Sequence, residues 1–225
     1  MRLILIRHGQ TPSNVEHFLD TAVPGPGLTE LGLAQAAALP EALAGEPVDG
    51  VFASNLVRTQ LTADPLAAAL GLPVQVRDGL REISAGSLEM RNDRDAIISY
   101  LKTVFRWVEG DLDTRMPGGP DGRETFARFD AVIAELQASG LSMPVIFSHG
   151  AMIRAWCTAR AENVEPDFMV ENALSNTGMA VMESVPGEDG APDSWRLLSW
   201  MGEAVGGRTL RDYGEDGPAG EDVVL

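Results

Sequence analysis

Four short apolar runs, each separated from the next by a stretch with helical periodicity, restrict this chain to a sheet fed by crossover helices. The runs are residues 2–6, 49–53, 74–77 and 143–147, each bounded by Gly, Pro or a polar turn. Runs that are apolar throughout belong to strands covered on both faces, so most of the sheet is expected to be parallel. Helical patterns occupy 29–43, 55–70, 94–108, 123–138 and 151–161. In the fourth, Phe126, Phe129, Ile133 and Leu136 step by three and four, which places one apolar stripe against a core, and Gly140 follows as a stop. Pro40 and Pro65 fall inside two of these patterns. An interior proline costs roughly 3 kcal/mol, so a kink or a break is expected at each. Near the end, residues 178–185 and 195–200 flank a Pro-Gly-Glu-Asp-Gly-Ala-Pro linker and read as a hairpin at one side of the sheet. The expected fold is α/β, a three-layer sandwich with a mostly parallel central sheet and helices on both faces.

Residues 86–124 are longer than a crossover needs. They hold one helix with Tyr100, Phe105 and Trp107, then a Pro-Gly-Gly-Pro-Asp-Gly turn cluster. An insertion at this place lies over the strand ends and can act as a helical lid. The plainer reading is that Phe105 and Trp107 pack the inserted helix. The organisation expected is a single domain over 1–201 with the lid insertion at about 86–124. A tail over 202–225, rich in Gly and acid and without periodicity, is not expected to be ordered by itself.

Composition narrows the partners. The 17 Lys and Arg stand against 33 Asp and Glu, a formal charge of −16 that repels polyanions over most of the surface. Nucleic acid and anionic membrane are therefore not expected partners. The only apolar run near the start, residues 3–6, is shorter than the roughly 7 to 15 residues of a signal-peptide core. No stretch approaches the roughly 20 residues of a spanning helix, and the chain is expected to be cytoplasmic. The single cysteine, Cys157, excludes an internal disulfide and leaves no thiolate cluster for a structural zinc.

In open α/β sheets ligands bind beyond the carboxyl ends of the strands. There the first run ends in Arg7-His8-Gly9, the second is followed by Ser54-Asn55-Leu56-Val57-Arg58, and the fourth ends in Ser148-His149-Gly150. Two of the three histidines, each followed by Gly, thus converge with two arginines on one rim, whereas His17 has no such context. The chemistry suited to this set is phosphoryl transfer. Arginine forks pair bidentately with phosphate oxygens, and a neutral imidazole is a nucleophile that an anionic phosphate does not repel. Dense Asp and Glu ligands of a magnesium site are lacking, so arginine must do the neutralising.

Residues 5–11, Leu-Ile-Arg-His-Gly-Gln-Thr, with Asn14 beyond, resemble the signature of the histidine phosphatase superfamily in its phosphoglycerate-mutase-like branch. The resemblance continues through Leu28-Thr29-Glu30-Leu31-Gly32 with Gln35-Ala36, through Ser54 to Arg58 with Thr62-Ala63, through Leu80-Arg81-Glu82, and through Ser148-His149-Gly150 with Ile153-Arg154. It implies that His8 is the nucleophile that becomes phosphohistidine, that Arg7, Arg58 and His149 hold the phosphoryl oxygens, and that Asn14 lines the same pocket. Glu82 would protonate the leaving oxygen and then deprotonate water; Gly150 stands where another branch has its acidic residue, which favours Glu82. The departures from the family lie in the lid, at residues 88–91 and 118–124, and put the substrate in doubt. Arg91, Arg94, Lys102 and Arg106 can either meet a second anionic group or serve as solvated charges.

The reading is a metal-independent phosphomonoester hydrolase that needs no cofactor and acts on a small phosphorylated metabolite, with a homodimer left open. The alternatives are a cofactor-dependent phosphoglycerate mutase and a catalytically silent domain that binds a phosphorylated ligand.

Overall fold

The computed structural model describes residues 1–187, 194–207 and 210. Most of the 186–192 linker and the greater part of the 202–225 tail lie outside the described residues. Six strands form one mixed sheet in the order β3-β2-β4-β1-β5-β6. β1 (Arg2–Arg7), β2 (Gly50–Ala53), β3 (Val74–Val76) and β4 (Pro144–Ser148) are parallel, with Ile4 beside Val145 and Phe52 beside Ile146. β5 (Met179–Val185) and β6 (Ser194–Met201) complete the sheet as the expected antiparallel hairpin at one edge.

Because strand side chains alternate, one sheet supplies two cores. Ile4 and Ile6 of β1 face α2 (Glu30–Ala42) and α3 (Val57–Leu70), through Leu39, Ala63 and Leu66. Leu3 and Leu5 face α4 (Arg94–Val108), α5 (Gly122–Ala138) and α6 (Gly150–Arg160), through Tyr100, Phe129 and Trp156. Short helices α1 (Pro12–Val15) and α7 (Phe168–Glu171) complete the set. The three-layer α/β architecture is the one expected, and no described helix is long and apolar enough to cross a membrane.

Neither proline breaks its helix. α2 continues through Pro40 and α3 through Pro65. The stripe that α3 buries around Pro65 includes Thr62, Ala63, Leu66 and Ala67, and burying a leucine alone is worth roughly 1.5–3 kcal/mol. Packing therefore offsets the penalty of about 3 kcal/mol that local propensity assigns to proline. α4 spans the expected residues, started by the Asp93 side chain, which accepts from the Ala96 amide. Trp107 of that helix is buried and donates to the Thr114 carbonyl at 2.7 Å, so it packs the insertion. At the sheet edge, the Asn163 side chain bonds both backbone groups of Leu197, each at 2.9 Å, while the Glu162 amide donates to the Trp195 carbonyl. Ala204 and Val205 are buried beyond β6.

Candidate active site

The turn after β1 carries the central histidine, and its backbone is held from several directions. The His8 amide donates to the Ser148 carbonyl, Gly9 to Thr62 Oγ1 at 2.9 Å, Gln10 to Gln35 Oε1 at 2.8 Å and Thr11 to Asn14 Oδ1 at 3.0 Å. A Cβ on Gly9 would lie 2.7 Å from the Gly32 carbonyl oxygen, so glycine lets this turn rest directly on the start of α2. From the other side, Asn176 Nδ2 donates to the His8 carbonyl at 2.9 Å and the Thr177 amide to that of Arg7 at 3.1 Å. Thr177 stands at φ 61, in the left-handed region that costs a β-branched residue energy, at the position that braces the histidine.

Arg7, His8, Asn14, Arg58 and Glu82 line one pocket. His149 is brought beside them but lies one ring deeper: it is fully buried, with its ring centroid 5.2 Å from that of His8. His8 Nδ1 lies 2.8 Å from the Gly9 carbonyl, which can only accept. Nδ1 therefore carries the proton and Nε2 keeps its lone pair. Burial, then the charges of Arg58 and Arg7, hold the His8 pKa well below the ordinary 6.5, so the imidazole is neutral. His149 is likewise held neutral by burial and by Arg58. Its Nε2 lies 2.8 Å from Ser54 Oγ, whereas its Nδ1 is buried without a hydrogen-bond partner.

Arg58 projects from the first turn of α3. Its Nη2 donates to the Asp20 carbonyl at 2.8 Å and its Nη1 stands 3.9 Å from Asp20 Oδ1, while Nε and Nη1 have no hydrogen-bond partner. Buried guanidinium donors in that state are suited to an anion. Gly25 approaches the same group so closely that a Cβ there would fall 2.6 Å from Nη1. Arg7 Nη1 donates to the Leu174 carbonyl at 2.6 Å.

Glu82 follows a short turn (Asp78–Leu80) and lies at the amino end of α6. Its carboxylate accepts from the amides of Ile83 at 2.8 Å, Met152 at 2.9 Å and Ala151 at 3.2 Å, so it also caps that helix. Burial raises its pKa; those amides and Arg58 oppose the rise without cancelling it. A carboxyl held this way can carry a proton at higher pH than an exposed glutamate.

Arg128 is a residue that sequence reading passed over. From α5 it donates to the carbonyls of Gly79 at 2.7 Å, Arg81 at 2.6 Å and Glu82 at 2.8 Å, clamping the loop that presents Glu82. Burial pushes its pKa down to about 10, which leaves it charged at neutral pH. Its one sequence signal is a cation next to the buried Phe129 on the apolar side of a helix. Glu89 is tied to the Thr21 hydroxyl and to the amides of Thr21 and Ala22, a fastening between the 86–124 insertion and the pocket wall. Arg91, Arg94, Lys102 and Arg106 are exposed and do not line the pocket; Arg91 pairs with Asp93. Among the described residues no cluster of three or more His, Cys, Asp and Glu is placed to hold a metal.

A sheet whose parallel strands gather at their carboxyl edge a pocket lined by one neutral histidine and two arginines, with a second neutral histidine buried behind it, defines an α/β protein built to handle phosphate. The chain belongs to the histidine phosphatase superfamily, branch 1, whose model matches residues 3–198. It is 38% identical to a PE-PGRS family protein of Mycobacterium tuberculosis over 91% of this chain, and spans only 37% of that protein's length. It is 36% identical to the adenosylcobalamin/alpha-ribazole phosphatase of Escherichia coli, covering 61% of this chain and 68% of that one. Its fold is similar to the mycobacterial glucosyl-3-phosphoglycerate phosphatase solved with VO3, with a TM-score of 0.73 and 26% identity over 90% of this chain and 99% of the other.

Proposed function

We propose that this protein is a metal-independent phosphomonoester hydrolase that works through a phosphohistidine on His8. The observation that carries the reading is the tautomer of His8: a neutral ring whose Nδ1 proton is held by the Gly9 carbonyl, leaving the Nε2 lone pair for attack, beside the buried guanidinium of Arg58. In the first step Nε2 attacks phosphorus, the bond to the ester oxygen breaks, and the protonated Glu82 gives its proton to the departing alkoxide. Arg7, Arg58, Asn14 and the buried Nδ1 of His149 meet the phosphoryl oxygens, and the Gly9 carbonyl steadies the positive charge that the ring acquires. In the second step the Glu82 carboxylate takes a proton from water as that water attacks the phosphohistidine, releasing inorganic phosphate and restoring both residues. The 86–124 insertion serves as the lid, and the setting is a cytoplasmic one with a small soluble ester as substrate.

Acid-sensitive label tests the reading. Rapid mixing with a 32P-labelled ester and denaturation should leave an acid-labile phosphoryl group on His8 and none on His149. His8→Ala should lower kcat by more than about 10⁴-fold. Full activity in His8→Ala, or activity that EDTA removes and a divalent ion restores, overturns the mechanism.

A further inference from the structure

The wall of the pocket beyond the phosphate end is polarised largely in one sense: its hydroxyls and the amides of residues 18–22 are already committed to the protein. Every backbone amide from Phe18 to Ala22 donates internally, to Ser13, Arg91 and Phe18 carbonyls in turn and then twice to the Glu89 carboxylate. The hydroxyls follow the same pattern. Ser13 Oγ donates to Asp20 Oδ2 at 2.5 Å, Thr21 Oγ1 donates to Glu89, and the Tyr100 hydroxyl donates to the Ile83 carbonyl at 3.0 Å. What this wall can still offer is lone pairs and the apolar surface of Phe18 and Leu19.

Its charge points the same way. Apart from Arg7 and Arg58, no Lys or Arg is among the residues lining the described pocket. Asp20 stands in the wall with Oδ1 at 3.9 Å from Arg58 Nη1, within ion-pair range but too long for a hydrogen bond, so that oxygen keeps acceptor capacity beside the guanidinium. A second anion on the substrate would meet a like charge and find the hydroxyls and the amides of residues 18–22 already taken, whereas an alcohol would meet acceptors. Repulsion built into a wall is a means of rejecting one ligand in favour of another.

We infer that the pocket selects phosphate monoesters of uncharged, hydroxylated alcohols and disfavours esters that carry a carboxylate, with Asp20 setting the choice. This substrate class rests on the phosphatase reading above.

The test is a pair of esters on one three-carbon skeleton, sn-glycerol 3-phosphate and 3-phosphoglycerate, which differ in a terminal hydroxymethyl against a carboxylate. The wild-type kcat/KM should favour glycerol phosphate by at least about tenfold, and Asp20→Asn should bring the ratio to within about threefold of unity. Because Asp20 also touches Arg58, the ratio is the readout: any effect on phosphate binding divides out. Should Asp20→Asn not fold, the methyl ester of 3-phosphoglycerate applied to the wild type removes the same charge and should recover the rate. Nitrophenyl phosphate serves as reference. Failure to hydrolyse it defeats the phosphatase reading. Hydrolysis of it without a preference for glycerol phosphate overturns the substrate class alone, and an unchanged ratio in Asp20→Asn, or no recovery with the methyl ester, overturns the role of charge at Asp20.

Discussion

The two ends of the pocket are built by opposite rules. At the inner end, Arg58 Nε, Arg58 Nη1 and His149 Nδ1 are buried with no hydrogen-bond partner, on side chains presented by strand ends and a helix start. At the outer wall, the amides of Phe18 to Ala22 and the hydroxyls of Ser13, Thr21 and Tyr100 are satisfied within the protein. Buried polar groups are ordinarily paired, so the exceptions mark where binding is to happen. On the proposed reading, the inner end takes the group shared by all phosphate esters, and the outer wall the part that differs among them. Variants at the inner end should accordingly affect every ester alike, whereas those acting through the leaving group should separate one ester from another.

After His8, the largest effect is expected at Arg58. Arg58→Ala removes a charged donor from the phosphoryl oxygens and should lower kcat by about 10²–10³-fold, equally for nitrophenyl and alkyl phosphates. Steady-state kinetics on both esters checks this, and a loss confined to KM would assign Arg58 to ground-state binding alone. Next comes Arg128→Met, which releases three carbonyls around Glu82. Misplacing the acid should slow alkyl phosphates by about 10- to 100-fold and nitrophenyl phosphate, whose leaving group needs little protonation, far less. Equal losses for both would reduce Arg128 to a support of the fold.

Gly25→Ala presses on Arg58 Nη1 from a residue at φ +66, a conformation that suits glycine. It should cost about 1 kcal/mol or more of stability, read from thermal melting, and lower kcat for both esters by a common factor. The smallest effect is one of pH. Glu82 is held above the ordinary 4.5, chiefly by burial. Folding therefore takes up a proton between that value and the raised one, and stability falls as pH rises through the window. Glu82→Gln is neutral throughout, so it should melt a few degrees above the wild type at pH 8, with the gap closing as the pH approaches 4.5. A variant that melts lower at every pH would show that the cap on α6 outweighs the buried charge.

Strand ends were the legible part of the site, because the α/β topology says where to look before any side chain is placed. Arg7, His8 and Arg58 follow from that rule together with residue type, and α4 follows from its period and from Asp93. Arg128, Asp20 and Asn176 were not legible. Arg128 and Asn176 donate to backbone carbonyls 46–49 and 168 residues away, and the Asp20 carbonyl accepts from Arg58, 38 residues on; a carbonyl leaves no mark in a sequence. Pro40 and Pro65 misled for a related reason, since the packing that holds their helices together is tertiary. Glu89, too, is a fastening formed only in the fold, with Thr21 68 residues away.

The side chain of Asn163 imitates a seventh strand one residue long. It occupies both the donor and the acceptor of Leu197, in the middle of the outermost strand, on which Leu198 and Met201 are exposed. An open edge of that length with apolar residues on it is a template on which another chain can grow. With the centre of the edge closed, a newcomer pairing across Leu197 has to break two hydrogen bonds, a cost that works against edge-to-edge growth.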